Sequence, residues 1–129
     1  MKKKYIIAGC NKTHNKDIIE HLKVLGVKEE SIRVAESLED FVENSAGEET
    51  HVVIADTHIS YKRKMTDTSQ LLLLSYLTGN KTILYSAGAD IPVSVSSRAR
   101  ELGIKEVKWS PYHYCSHSFS ESVLNAVGI

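Results

Sequence analysis

The chain has 129 residues, with sixteen Lys and Arg against sixteen Asp and Glu, and 42% of its residues are apolar. That length suits one domain burying about two-thirds of its unfolded surface, and that composition is globular rather than disordered. Zero formal net charge excludes nucleic-acid binding through bulk charge, and two cysteines, Cys10 and Cys115, exclude a disulfide scaffold.

The start, from Met1 to Cys10, is basic, but its apolar run is too short for a signal peptide. Elsewhere the longest apolar run, Leu71 to Leu77 interrupted by Ser75, falls well short of the roughly 20 residues that span a bilayer. A reduced, cytoplasmic protein without a membrane segment is expected.

Short β-branched runs recur along the chain, and helical patterns separate them. The first strand is predicted over Tyr5–Ala8. A helix from Asp17 to Leu25 follows, with Ile18, Leu22 and Leu25 on one face and Gly26 as its stop. The second strand is Ile32–Ala35. Ser37 then caps a helix from Leu38 to Asn44, with Asp40 three positions on. The third strand is Val52–Ala55. Asp67 with Gln70 forms a variant capping box before Leu71–Leu77. The fourth strand is Ile83–Tyr85, and Pro92 in a first turn opens a helix carrying Val95, Ala99 and Leu102 up to Gly103. The fifth strand is Val107–Trp109. A last helix begins near Ser118 and carries Val123, Leu124 and Val127.

Near-continuous apolar strands are those of a parallel sheet covered on both faces, and strict alternation means right-handed βαβ units. The expected fold is therefore α/β: a flavodoxin-like, doubly wound five-stranded parallel sheet in the order 2-1-3-4-5 with five helices in three αβα layers. It forms one domain over residues 1–129. In such a sheet, ligands and chemistry gather at the carboxyl ends of strands 1 and 3, where the order reverses. Those ends are Gly9-Cys10-Asn11 and Asp56-Thr57-His58. Asp56, closing a buried strand there, reads equally as a functional carboxylate or as a loop cap.

Three passages carry a family pattern: Val52-Val53-Ile54-Ala55-Asp56; Ser86-Ala87 after strand 4; and Leu102-Gly103 through Ser110-Pro111 around strand 5. Together with element order and spacing they resemble the receiver domain of two-component response regulators. The resemblance covers nearly the whole chain. It implies that Asp56 stands where the family accepts a phosphoryl group, and Ser86 where it keeps a hydroxyl. Three positions depart. The family's metal-holding acidic pair after strand 1 is replaced by Gly9-Cys10-Asn11, its Lys before the Pro is Ser110, and its switch aromatic is Val107.

An aspartyl phosphate adds about two negative charges, and its formation needs a cation against the developing charge. With one carboxylate left, a Mg²⁺ site is weak, and Lys12 has nothing to fix its geometry. The expectation is a degenerate, stand-alone pseudo-receiver, not an enzyme, without a required cofactor. It binds protein partners such as a histidine kinase or another signalling protein, as monomer or homodimer. The resemblance points to the face of helix 4, strand 5 and helix 5. The alternatives are a working regulator phosphorylated on Asp56, and a small metal protein or Cys10-dependent enzyme on the same fold.

For metal, the candidates are His14, His58, His113, Cys115 and His117, expected in loops at one sheet edge with Cys10. The His113-x-Cys115-x-His117 spacing is not a recognised zinc pattern, and exposed polar loop residues are the plainer reading. Around Cys10, Cys10-Asn11-Lys12-Thr13-His14-Asn15 lacks the glycines and Arg of a phosphate-cradling loop, so a structural cysteine is favoured. The basic run Tyr61-Lys62-Arg63-Lys64 reads as a solvated loop. Among the aromatics near strand 5, Trp109 reads as packing, and Tyr112 and Tyr114 read as interface residues.

Overall fold

A computed structural model describes residues 4–47, 49–86, 91–108 and 121. Five strands form one parallel sheet: β1 (Lys4–Ala8), β2 (Ile32–Ala35), β3 (His51–Ala55), β6 (Lys81–Ser86) and β7 (Lys105–Lys108). Their order is β2-β1-β3-β6-β7, which is the expected 2-1-3-4-5. β3 lies at the centre and is buried at every position, as a strand covered on both faces must be.

Four α-helices are present among the described residues: α1 (Lys12–Val24), α2 (Leu38–Asn44), α3 (Ser69–Leu77) and α4 (Val93–Leu102). α1 covers one face through Ile18 and Leu22, packed with Tyr5, Ile7, Ile54 and Tyr85. α2, α3 and α4 cover the other through Phe41, Leu71, Leu72, Val95 and Ala99. Right-handed crossovers require this division, because α1 leads outward to β2 while the other three lead the opposite way. The expected last helix, together with Ala87, Trp109, Ser110, Tyr112, His113, Tyr114, Cys115 and His117, lies outside the described residues, apart from a helical Glu121.

α1 begins at Lys12, one and a half turns before the expected Asp17, so Lys12 and His14 stand on a helix rather than in a loop. The reason is local. Asn11 caps the helix, its Oδ1 accepting the His14 N–H at 3.0 Å. Buried Asn15 occupies the first place in the stripe that Ile18 and Leu22 continue. A polar residue there conceals the apolar period.

α2 runs over the expected residues, with Ser37 Oγ accepting the Asp40 N–H. α3 starts differently. Asp67 Oδ1 accepts from Ser69 N–H rather than acting through Gln70, and Thr68 is the cap residue. Pro92 is likewise the cap residue of α4, just outside its first turn, and Gly103 closes the helix at φ +70°.

The main departure lies between β3 and α3. Residues expected to be loop form an antiparallel hairpin, β4 (His58–Tyr61) and β5 (Lys64–Asp67). Its two-residue turn is Lys62-Arg63, at φ +50° and +64°. Both central residues of such a turn need positive φ, which Asn and Gly supply easily; Lys and Arg give no such signal. Tertiary contacts hold it instead. Ser60 N–H donates to Glu36 C=O, Lys62 N–H to Glu39 Oε2, and Ile59 enters the core.

Candidate functional site

β1 and β3 end side by side, and their ladder continues one residue further: Asp56 N–H donates to Ala8 C=O at 2.9 Å. Asp56 is only 6% exposed. A carboxylate buried there must find donors, and three elements supply them. Thr57 N–H donates to Oδ1 at 2.7 Å, from the same loop. Tyr85 Oη, on β6, donates to Oδ2 at 3.2 Å. His14 Nδ1, in the first turn of α1, lies 3.0 Å from the same Oδ2. An ionised carboxylate only accepts, so His14 Nδ1 carries the proton.

Tyr85 is fully buried and stands edge-on to the His14 ring, centroids 6.3 Å apart. Burial first, then the Asp56 charge and hydrogen bond, push its hydroxyl far above the ordinary tyrosine range, so it remains a donor. The loop is closed from behind by Thr68, whose Oγ1 donates to Asp56 C=O at 2.7 Å and whose N–H donates to Thr57 C=O.

Gly9 is the near wall of this pocket. A Cβ built on it falls 2.8 Å from Asp56 Cβ, closer than side chains tolerate. Asn15 Nδ2 donates to Gly9 C=O at 2.9 Å, while its buried Oδ1 has no hydrogen-bond partner among the described residues.

Of the sequence-predicted residues, the fold brings Gly9, Cys10, Asn11, His14, Asp56 and Ser86 to one sheet edge. Their work differs from expectation. Asn11 is a helix cap, and His14 is a hydrogen-bond partner of Asp56. Cys10 is half-buried; burial first, with the Asp56 and Glu36 charges, pushes its thiol up against a lowering backbone hydrogen bond, opposite to the activation of a nucleophile. Ser86 ends β6 in a buried position, and Val107 pairs with Tyr85 in the core of the α1 face. His58 opens the hairpin instead of a free loop, its Nδ1 2.9 Å from Thr57 Oγ1. Among the described residues, no group of three or more His, Cys, Asp or Glu is placed to hold a metal ion.

A divalent cation such as Mg²⁺ needs several oxygen ligands around it. Here Asp56 is the one acid among the residues that end β1 and β3, and each of its oxygens already faces a hydrogen-bond donor. Position 9 cannot carry a carboxylate without displacing Asp56. The residues present do not fit that ion.

Sequence reasoning missed Tyr85, Thr68 and Asn15. The signal for Tyr85 was available: alternation along β6 puts it opposite Ser86, on the face that α1 covers.

No protein-family model matches the chain, and no curated protein matches it in sequence. Solved structures do match its fold. The BeF3-activated DrrB receiver domain aligns over 100% of both chains, with 17% identity and a TM-score of 0.71. The response regulator StyR aligns over 98% of this chain and 59% of its own, with 15% identity and a TM-score of 0.72. A response regulator from Burkholderia pseudomallei with a phosphorylated aspartic acid, calcium ion and citrate aligns over 96% of this chain and 65% of its own. It has 14% identity and a TM-score of 0.66. The fold is thus that of response-regulator receiver domains, a flavodoxin-like α/β architecture. Among the described residues no helix is long and apolar enough to cross a membrane.

Proposed function

We propose that this chain is a receiver-like signalling module of the cytoplasm that acts by binding another protein, with a phosphorylation site that has lost its chemistry. One observation carries the reading: the carboxylate at the acceptor position is spent on internal structure. Asp56 ties β3 to α1 through His14 and to β6 through Tyr85, and the acids and Lys of the resembled family are absent from this chain at Gly9, Cys10, Asn11 and Ser110. An incoming phosphoryl group would have to displace two donors and would meet no fixed cation. The module then works as a fixed shape, and the family resemblance supports α4 and β7 as the side that meets the partner.

The second reading is a working regulator phosphorylated on Asp56. It is favoured by the place of Asp56 at the end of β3 and by the phosphorylated aspartic acid of one structural neighbour. Incubation with acetyl phosphate and Mg²⁺, followed by intact-mass measurement, separates the two. The expected result is an unchanged mass. A gain of one phosphoryl group that disappears in Asp56→Asn overturns the proposal.

A further inference from the structure

The basic run Tyr61-Lys62-Arg63-Lys64 forms the tip of the β4–β5 hairpin, and the proposed function makes no use of it. Lys62 and Arg63 are the two turn residues, at φ +50° and +64°. Among the described residues they are the only ones besides glycine with positive φ. That region crowds a Cβ against the following carbonyl, at a cost of roughly tenfold per residue in the folding equilibrium. Asn-Gly would relieve both positions. The fold does not ask for the side chains that stand there. Backbone groups and one apolar residue seat the hairpin: Ser60 N–H on Glu36 C=O, Lys62 N–H on Glu39 Oε2, and Ile59 in the core. Lys62, Arg63 and Lys64 are all exposed. None of the three forms an ion pair with a described residue, Glu39 included. Lys62 Nζ lies instead 5.2 Å from the centroid of the Tyr61 ring. Strain held by side chains that do nothing within the chain points to work outside it.

The charge selects the chemistry of the partner. Three consecutive cations on a preformed turn suit carboxylates, and Arg63 can take one through two parallel N–H bonds. Tyr61 and Met65, 38% and 72% exposed, flank them with apolar surface. Because the hairpin is already folded, little ordering is lost on contact. Nucleic acid suits the tip less well. Duplex charges recur about every 1.7 Å, and a strand laid over the tip would reach Glu39, Asp40 and Glu43, all exposed on the neighbouring α2. A short acidic segment of a protein can place its carboxylates on the tip alone.

We propose that the hairpin tip, Tyr61 to Met65, is a docking point for an acidic segment of a partner protein, with Lys62, Arg63 and Lys64 taking its carboxylates. It is a contact separate from the side of α4 and β7, and it stands whether or not Asp56 accepts a phosphoryl group.

Amide NMR on the labelled full chain tests it, with a short synthetic peptide of glutamates flanking a tryptophan as the probe. The expected result is a set of saturable shifts over Tyr61–Met65 that weaken with added salt. Lys64→Gln, outside the two left-handed positions, should weaken binding about threefold and leave stability unchanged. Lys62→Asn combined with Arg63→Gly should weaken binding about tenfold or more. In urea denaturation the same double variant should raise the folding equilibrium constant about tenfold. Absence of saturable shifts overturns the proposal. So do equal shifts at Lys105 and Lys108, exposed cations of β7, since the attraction is then to charge in general. Tighter binding at the tip by a single-stranded oligonucleotide of the same charge overturns the choice of a protein partner. A double variant no more stable than the parent overturns the claim that the turn gives up stability for contact.

Discussion

Each end of the sheet holds a histidine, half-buried at the carboxyl end and buried at the amino end, and the two are used in opposite ways. At the carboxyl end, His14 is tied to Asp56, and Asp56 is tied in turn to Thr57 and Tyr85. At the amino end, His51 opens β3 at 5% exposure, and its Nδ1 has no hydrogen-bond partner among the described residues. It lines a cavity of about 360 Å³ with Lys4, Arg33, Glu43 and Glu49. One end is a hydrogen-bonded network linking α1, β3 and β6 through Asp56. The other is a loose collection of charges in which Lys4 pairs with the exposed Glu49. Each end also keeps one buried polar atom without a partner among the described residues, Asn15 Oδ1 at the carboxyl end and His51 Nδ1 at the amino end. What distinguishes the carboxyl end is that its buried carboxylate is held by donors from three elements.

The largest expected effect comes from placing a second acid at the carboxyl end. Gly9→Asp would bring a side chain within contact of Asp56 Cβ and a second charge beside a buried one. It should cost roughly 3 kcal/mol or more of unfolding free energy, and Gly9→Ala about 1–3 kcal/mol, measured by urea denaturation. A mild Gly9→Asp that also gains Mg²⁺ binding would show instead that the pocket can hold a metal ion. Tyr85→Phe keeps the ring in the core but removes a donor from a buried carboxylate. It should cost about 1.5–2 kcal/mol by the same measurement.

How far this was legible in the sequence depends on how local each signal is. The strands β1, β2, β3 and β6 were legible because buried parallel strands are written as runs of Ile, Val and Ala. α2 was legible because Ser37 and Asp40 make its cap within four residues. The hairpin was not, because its turn uses Lys62 and Arg63 and is held by Glu36 and Glu39, some twenty residues earlier. Asp56 was legible by position, and the absence of an acid after β1 was legible directly from Gly9-Cys10-Asn11. The role of His14 was not, since a lone histidine after a strand suggests a ligand until the helix around it is known to begin at Lys12.

A smaller effect is expected at His14 itself. Its side chain is 30% exposed, so water partly replaces what it gives to Asp56. His14→Gln should cost about 1 kcal/mol, less than Tyr85→Phe. Were His14→Gln the more damaging of the two, the ranking of Asp56 partners would be reversed.

The smallest effect belongs to the amino end and appears only in acid. Burial, above all, holds the His51 imidazole below its ordinary value of 6.5, with Glu49 and a hydrogen bond with Asn80 raising it and Lys4 and Arg33 lowering it. The unfolded chain therefore takes up a proton at a pH where the folded one resists it. This contribution to stability is complete above the ordinary imidazole range and is lost as pH falls through and below it. His51→Gln should flatten the decline in stability between about pH 7 and about pH 5. An unchanged acid limb would assign that decline to other groups, such as His21, which burial also lowers.

The central claim is that Asp56 is a structural carboxylate, and amide NMR tests it most directly. The labelled protein would be titrated with Mg²⁺ and beryllofluoride while the signals of Asp56, Thr57 and Tyr85 are followed. The account predicts that they stay where they are. Saturable shifts at those three residues, absent in Asp56→Asn, would contradict it.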